Sequence, residues 1–234
     1  MSELNNIYTV TQTDIAYPKR LLNVLGEKAP PLIYYCGNSK LANMDNVAIV
    51  GSRIIDEQAE KYTMALAKKA VGEGYAICSG GAKGTDRTAE KTALEAGGFC
   101  ISFLADSITK KLSQTEIQQA VLSGKMLLLS AVSPNAPFHT GNAMARNRYI
   151  YAMSQCAFVI ASDYNKGGTW AGASQNIKSH LSNTYVWDNS KYSGNKQLIA
   201  KGGIGIDNLD LFSVADLAIA EVKSYPEQIG FLLS

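Results

Sequence analysis

The chain has 234 residues, 46% of them hydrophobic and 18% charged, with a formal net charge of +2. This length supports one sizeable core, and the composition is ordinary for a globular protein. The near-neutral balance excludes a surface that is polycationic throughout, yet a local basic pocket for phosphates remains compatible with it.

No stretch reaches about 18 uninterrupted apolar residues, so no membrane span is expected. The opening MSELNNIYTV lacks the basic and apolar regions of a secretory signal. The expectation is a cytoplasmic protein with no membrane association. Cys36, Cys78, Cys100 and Cys156 lie far apart, form no CxxC pair and sit in or beside apolar runs. They are expected as buried free thiols rather than zinc ligands.

In chain order, PPLIYYCGN (30–38) is short and β-rich behind two prolines, which predicts an added edge strand. NVAIV (46–50) predicts a strand, followed by a helix from about Asp56 to Val71 whose Lys68 and Lys69 belong to a solvated face. YAIC (75–78) precedes a helix at about 85–96, and FCISFL (99–104) precedes SQTEIQQAVLSG and then KMLLLS (125–130). A helix around 143–154 leads to CAFVIA (156–161), and a helix from Thr169 to about Leu181 leads to TYVW (184–187). The tail 208–234 carries Leu209, Leu211, Phe212, Val214, Leu217 and Val222 ahead of YPEQIGFLLS, and is expected to pack on the core. Strand–helix alternation with continuous apolar strands predicts an α/β fold: a mostly parallel sheet covered by helices on both faces. One domain spanning 1–234 is expected, with 206–234 as a C-terminal extension.

Three glycine turns fall at predicted strand ends: VGSR (50–53), SGGAKGTD (79–86) and NKGGTW (165–170). In an open parallel sheet ligands sit beyond those ends. A helix N-terminus there offers N–H groups to an anion, and glycine lets the backbone come close. Single turns of this kind are usually structural, and Thr85, Asp86 and Thr169 are also natural N-caps. Three together, two with a cation beside glycine or serine, point to a phosphate site built from Gly51, Ser52, Arg53, Ser79, Gly80, Gly81, Lys83, Gly84, Asp86, Gly168 and Thr169. Neither the GxxxxGK[ST] nor the GxGxxG pattern is present.

ARNRYI (145–150) adds Arg146, Asn147 and Arg148 near the predicted start of a helix, where cations oppose the helix dipole. The two arginines diverge by about 200° on a helix. One is expected to face the ligand and the other to pair elsewhere, with Asp86 as the candidate. No catalytic set emerges. His139 reads as a loop residue, Ser52 and Ser79 have no evident base, and clustered metal-ligand carboxylates are missing. No cofactor is expected.

The ordered series YPKRLL (17–22), PPLIYYCGN, VAIVGSR, SGGAKGTDRTAEKTAL, ARNRYI, GGTWAGA and GNKQLIAKGG (194–203) resembles the DNA-processing protein A family, DprA/Smf, over about residues 15–205. The resemblance implies an extended, doubly wound Rossmann-like fold of the Smf/LOG superfamily. It also implies single-stranded DNA binding in a basic pocket, homodimers, and help in loading RecA during natural transformation. Residues 51–53 match the family's GSR. Ser79, Gly80, Lys83, Gly84 and Asp86 match its second turn, where Arg is common at the Lys83 position. Residues 146–148 match its RNR, and Gly168 with Thr169 match its third turn.

Several positions depart from the pattern. Ala143 stands where the family often has a base-stacking Phe, with Phe138 as a substitute, and DNS (188–190) replaces a Pro-Gly. No winged-helix domain is expected after this core and no helical domain before it. Two other functions stay open. One is a sensor of a small nucleotide-derived ligand working with an effector. The other is a phosphoribohydrolase resembling the LOG enzymes, whose PGGxGTxxE glutamate KGGTWAGA lacks.

Overall fold

A computed structural model of the chain describes residues 6–220. Nine strands form one sheet: β1 (Tyr8–Thr11), β2 (Leu32–Gly37), β3 (Asn46–Val50), β4 (Ala76–Ser79), β5 (Cys100–Leu104), β6 (Met126–Ser130), β7 (Cys156–Val159), β8 (Asn183–Trp187) and β9 (Ile204–Ile206). Their spatial order is β1-β2-β6-β5-β4-β3-β7-β8-β9. From β6 to β9 every pairing is parallel, while β1 and β2 join antiparallel at one side.

The parallel strands β3 to β8 are buried along their whole length. That is why their sequences read as near-continuous apolar runs rather than as strict alternation. Successive side chains point to opposite faces. Val47 and Ile49 therefore join one apolar cluster, and Ala48 and Val50 the other. Helices α2 (Glu57–Gly72), α3 (Thr85–Glu95), α4 (Ile108–Leu112) and α5 (Thr115–Leu122) close the first face through Leu66, Ala89, Ile108 and Ile117. Helices α1 (Lys19–Leu25), α6 (Thr140–Met153), α7 (Gly167–Ser179) and α8 (Ser193–Ala200) close the second through Leu21, Ile150, Ala173 and Leu198.

This topology locates the site. The chain runs outward from β3 through β4, β5 and β6, then returns to place β7 on the other side of β3. Strand order reverses between β3 and β7, and the connections leaving their carboxyl ends diverge, which opens a crevice there.

Three expectations are revised. PPLIYYCGN forms β2, but β2 is not an edge: β1 pairs outside it, with Val10 opposite Ile33. Helix α6 begins at Thr140 rather than about residue 143, because the His139 imidazole caps it by accepting the Gly141 N–H at 3.1 Å. Arg146 and Arg148 thus lie inside a helix, not at its start. Lys68 is solvated as expected, whereas Lys69 is half-buried, pairs with Glu73 at 3.1 Å and lies over the Phe212 ring. In the tail, α9 (Val214–Ile219) packs through Val214 and Ala218, and Phe212 stacks near Phe158, while Leu211 is exposed. Val222 and YPEQIGFLLS lie outside the described residues.

Candidate nucleic-acid interface

The three glycine turns meet at the strand switch. The Ser52 N–H donates to the Ala161 carbonyl at 2.9 Å, tying the end of β3 to that of β7. Helices α3 and α7, which follow β4 and β7, then bind the same short backbone. From α3, Thr85 donates its N–H to the Ser52 carbonyl at 3.1 Å and its hydroxyl at 3.3 Å. From α7, the Thr169 hydroxyl donates to the Gly51 carbonyl at 2.8 Å. Thr85 and Thr169 therefore knit the turns together instead of capping their own helices. Gly84 makes this contact possible. Its φ is +74°, and a Cβ there would collide with the Ser52 carbonyl and the Arg53 backbone. Arg53 and Lys83 consequently sit on abutting turns.

Beyond these ends lies a cleft of about 530 Å³. Eight residues singled out from sequence line it: Gly51, Ser52, Arg53, Asp86, Arg146, Asn147, Gly168 and Thr169. Lys83 and Gly84 stand beside the cleft at the abutting turn, with Lys83 exposed. Ser79 is buried beneath it, its hydroxyl donated to the Ile49 carbonyl at 2.7 Å. Arg148 is half-buried and does not line the cleft, as the divergence of neighbouring helical positions requires. Asn147 spans from α6 to α7, donating its side-chain N–H to the Gly168 carbonyl at 3.1 Å.

Anion capacity differs among the helix ends. The α2 N-terminus is closed: Asp56 accepts the Ala59 N–H at 2.9 Å and pairs with Lys191 at 2.6 Å. These contacts hold the Asp56 carboxyl well below its ordinary range, the Lys191 bond contributing most. The α6 N-terminus is capped by His139. The second glycine turn is also occupied. Gly81 donates its N–H to Glu90 Oε1 at 3.0 Å, and Ala82 donates to Asp86 Oδ2 at 3.4 Å. The α3 start has no side-chain cap, but its Thr85 N–H is taken by the Ser52 carbonyl and Asp86 stands in its first turn. Among the described residues, α7 is the helix that presents to the cleft an N-terminus with neither a side-chain cap nor an acid in its first turn, with Lys166, Gly167 and Gly168 on the lining. An uncapped helix start beside a lysine favours an anion.

Arg146 is 7% exposed and donates from Nη1 to the Gly80 carbonyl at 2.6 Å and the Phe103 carbonyl at 3.0 Å. Gly80 has no side chain because a Cβ there would occupy the guanidinium's place. Burial pushes the Asp86 carboxyl up, opposed chiefly by Arg146. Burial also pushes the Arg146 guanidinium down, opposed chiefly by Asp86. The division expected between the two arginines is therefore not seen: Arg146 both lines the cleft and opposes the burial of Asp86, while Arg148 lies off the cleft.

Arg53 is exposed, with its guanidinium 5.3 Å from the centroid of the Phe138 ring, itself 51% exposed on the cleft wall. This is a cation–π distance. Lys166, Ser162, Glu90 and Lys111 were not singled out from sequence. Lys166 adjoins the glycines of NKGGTW and was detectable there. Lys111 sits in a short amphipathic helix, where nothing in the pattern marks it as buried. Among the described residues, no three His, Cys, Asp or Glu side chains are grouped to hold a metal. No helix there is long and apolar enough to cross a membrane.

Fold and cleft together define a doubly wound Rossmann-like protein with a crevice at its topological switch point. The sequence model of the family described as DNA recombination-mediator protein A matches residues 8–212, and the chain belongs to that family. The resemblance drawn from the motif series is borne out. Protein Smf of Synechocystis is 28% identical over 165 residues, covering 68% of this chain and 40% of that protein. DNA processing protein A of Streptococcus pneumoniae is 29% identical over 155 residues, covering 66% of this chain and 54% of that protein. The chain thus spans roughly half the length of these curated relatives or less. Among solved structures, DNA processing protein A from Helicobacter pylori superposes with a TM-score of 0.75 at 25% identity, covering 92% of this chain and 98% of that one. That protein was solved in work on its single-stranded DNA binding mode.

Proposed function

We propose that the cleft binds single-stranded DNA through its phosphates and catalyses no reaction. The observation that carries this reading is the convergence of Arg53, Lys166 and the uncapped α7 N-terminus on one crevice. Single-strand binders combine such cationic surface with an aromatic platform, and Phe138 stands on the same wall. The likeness to the Helicobacter pylori protein supports the same ligand. Gly51, Ser52, Gly168 and Thr169 shape the phosphate site, Lys83 extends it beyond the cleft, and Arg146 supports it from behind. The chain acts as one folding unit, and homodimer formation, RecA loading and a role in DNA uptake or recombination complete the proposal.

A second reading has its own support. A volume of about 530 Å³ with small Ala143 on the wall suits a single nucleotide-derived ligand. One experiment decides between them. Labelled oligo-dT is titrated at several salt concentrations against wild type and Arg53→Ala, with a mononucleotide as competitor. Arg53→Ala should lose about 1.5–3 kcal/mol of strand affinity, the worth of a charge-assisted contact. The loss should be alike across base sequences, since phosphate contacts position the strand without reading it. Wild type that ignores the oligonucleotide at low salt yet binds the mononucleotide refutes the DNA reading in favour of the sensor.

A further inference from the structure

Glu90 on α3 and Lys111 on α4 are buried, although both residue types are normally solvated. Their side chains converge on one residue of the second glycine turn, Gly81. Glu90 Oε1 accepts the Gly81 N–H at 3.0 Å, and Lys111 Nζ donates to the Gly81 carbonyl at 3.1 Å. One residue to either side the pattern repeats: Arg146 holds the Gly80 carbonyl at 2.6 Å, and Asp86 accepts the Ala82 N–H at 3.4 Å. Two buried acids thus take N–H groups, two buried bases take carbonyls, and the formal charges cancel. Burial pushes the Glu90 carboxyl up, and Lys111 is the chief opposing influence.

Burying four charges costs more than an ordinary turn requires. This turn also differs from an ordinary one in position: Ala82 and Asp86 at its end line the cleft, as does Arg146. We propose that Glu90 and Lys111 are positioning residues for strand binding, clamping Gly81 from both sides. The clamp fixes the turn that carries Ala82 and Asp86 into the cleft and keeps the local charge balanced around Arg146, without touching the strand. The inference rests on the cleft's being the strand site.

The test is a double-mutant cycle on the full chain with Glu90→Gln, Lys111→Met and the double variant. Oligo-dT affinity is measured well below each melting temperature. Gln keeps the shape and an acceptor for Gly81 but removes the charge, so it reads the electrostatic role even where Lys111→Met fails to fold. Each single variant should weaken affinity by about 2- to 30-fold, the range for residues coupled to a site they do not contact. The double variant, with balance restored, should recover part of that loss. Folded single variants that bind like wild type overturn the proposal and leave the DNA reading intact, and strictly additive losses overturn it too. Wild type that binds no strand refutes both.

Discussion

Arg146→Met separates a strut from a ligand. The wild-type guanidinium is 7% exposed and makes two hydrogen bonds to carbonyls, at 2.6 and 3.0 Å. It also opposes the burial of Asp86 and is coupled to Glu90. Methionine fills much of the volume but leaves two buried carboxylates facing Lys111 alone. Removing one partner from a buried charge set costs about 3–5 kcal/mol. With a urea m-value of about 2.5 kcal/mol per M, within the range for a chain of this size, the unfolding midpoint should fall by about 1–2 M. Arg53→Ala, at an exposed side chain, should leave stability within about 0.5 kcal/mol of wild type. Urea unfolding followed by circular dichroism measures both, beside oligo-dT affinity. An Arg146→Met variant with the wild-type midpoint and no strand affinity would show that Arg146 is a ligand and that the strut argument fails.

Gly84→Ala places a Cβ against the Ser52 carbonyl at a φ of +74°. It should cost about 1–3 kcal/mol and weaken strand binding, whereas Gly72→Ala, with open space around its Cβ, should be neutral or slightly stabilising; equal melting shifts would contradict the close approach of the turns. All four cysteines are buried, and burial pushes the Cys78 thiol up to about 12. Ellman's reagent should therefore react with them only on unfolding, and rapid labelling of the native protein would count against the fold. Glu90 and Asp86 are held above their ordinary values of 4.5 and 3.8 by burial. The native state then binds more protons than the unfolded chain, so their contribution is fullest below about pH 4 and is lost as pH rises through the raised values. Glu90→Gln removes its share, so the variant should gain stability relative to wild type as pH rises from about 4; parallel profiles would refute the buried, ionisable Glu90.

The parallel sheet was legible because doubly buried strands leave no choice of residue. NVAIV, FCISFL and KMLLLS are predominantly apolar, and each contributes a fully buried strand. The outer strand β1 was not legible: YTVT buries only Val10, so its periodicity carries almost no signal. Glycine turns were visible, but not what their amides do. The decisive partners of Gly81, Glu90 and Lys111, are distant in sequence and sit on amphipathic helices, where charged residues are ordinarily solvent-facing. The same holds for Arg146, whose helix starts earlier than the pattern indicates because a histidine, an uncommon cap, closes it.

These occupied sites limit how many phosphates the cleft itself can hold. Asp56 fills the start of α2, His139 that of α6, and Glu90 and Asp86 take the amides of the second turn. Two positions remain: the α7 N-terminus with Lys166, and the exposed Arg53 guanidinium. A single strand that neutralises about two phosphates should give a plot of log affinity against log salt with a slope of about −1.4, since each contact contributes about −0.7. Arg53→Ala should halve it to about −0.7, and Lys166→Ala should do the same. The titration uses oligo-dT long enough to overhang the cleft, so that outer lysines such as Lys83 can contribute if they lie on the path. A steeper wild-type slope that Lys83→Ala restores to about −1.4 would extend the path across the abutting turn. A steep slope that none of the three substitutions changes would place the strand elsewhere on the molecule and refute the cleft as its site.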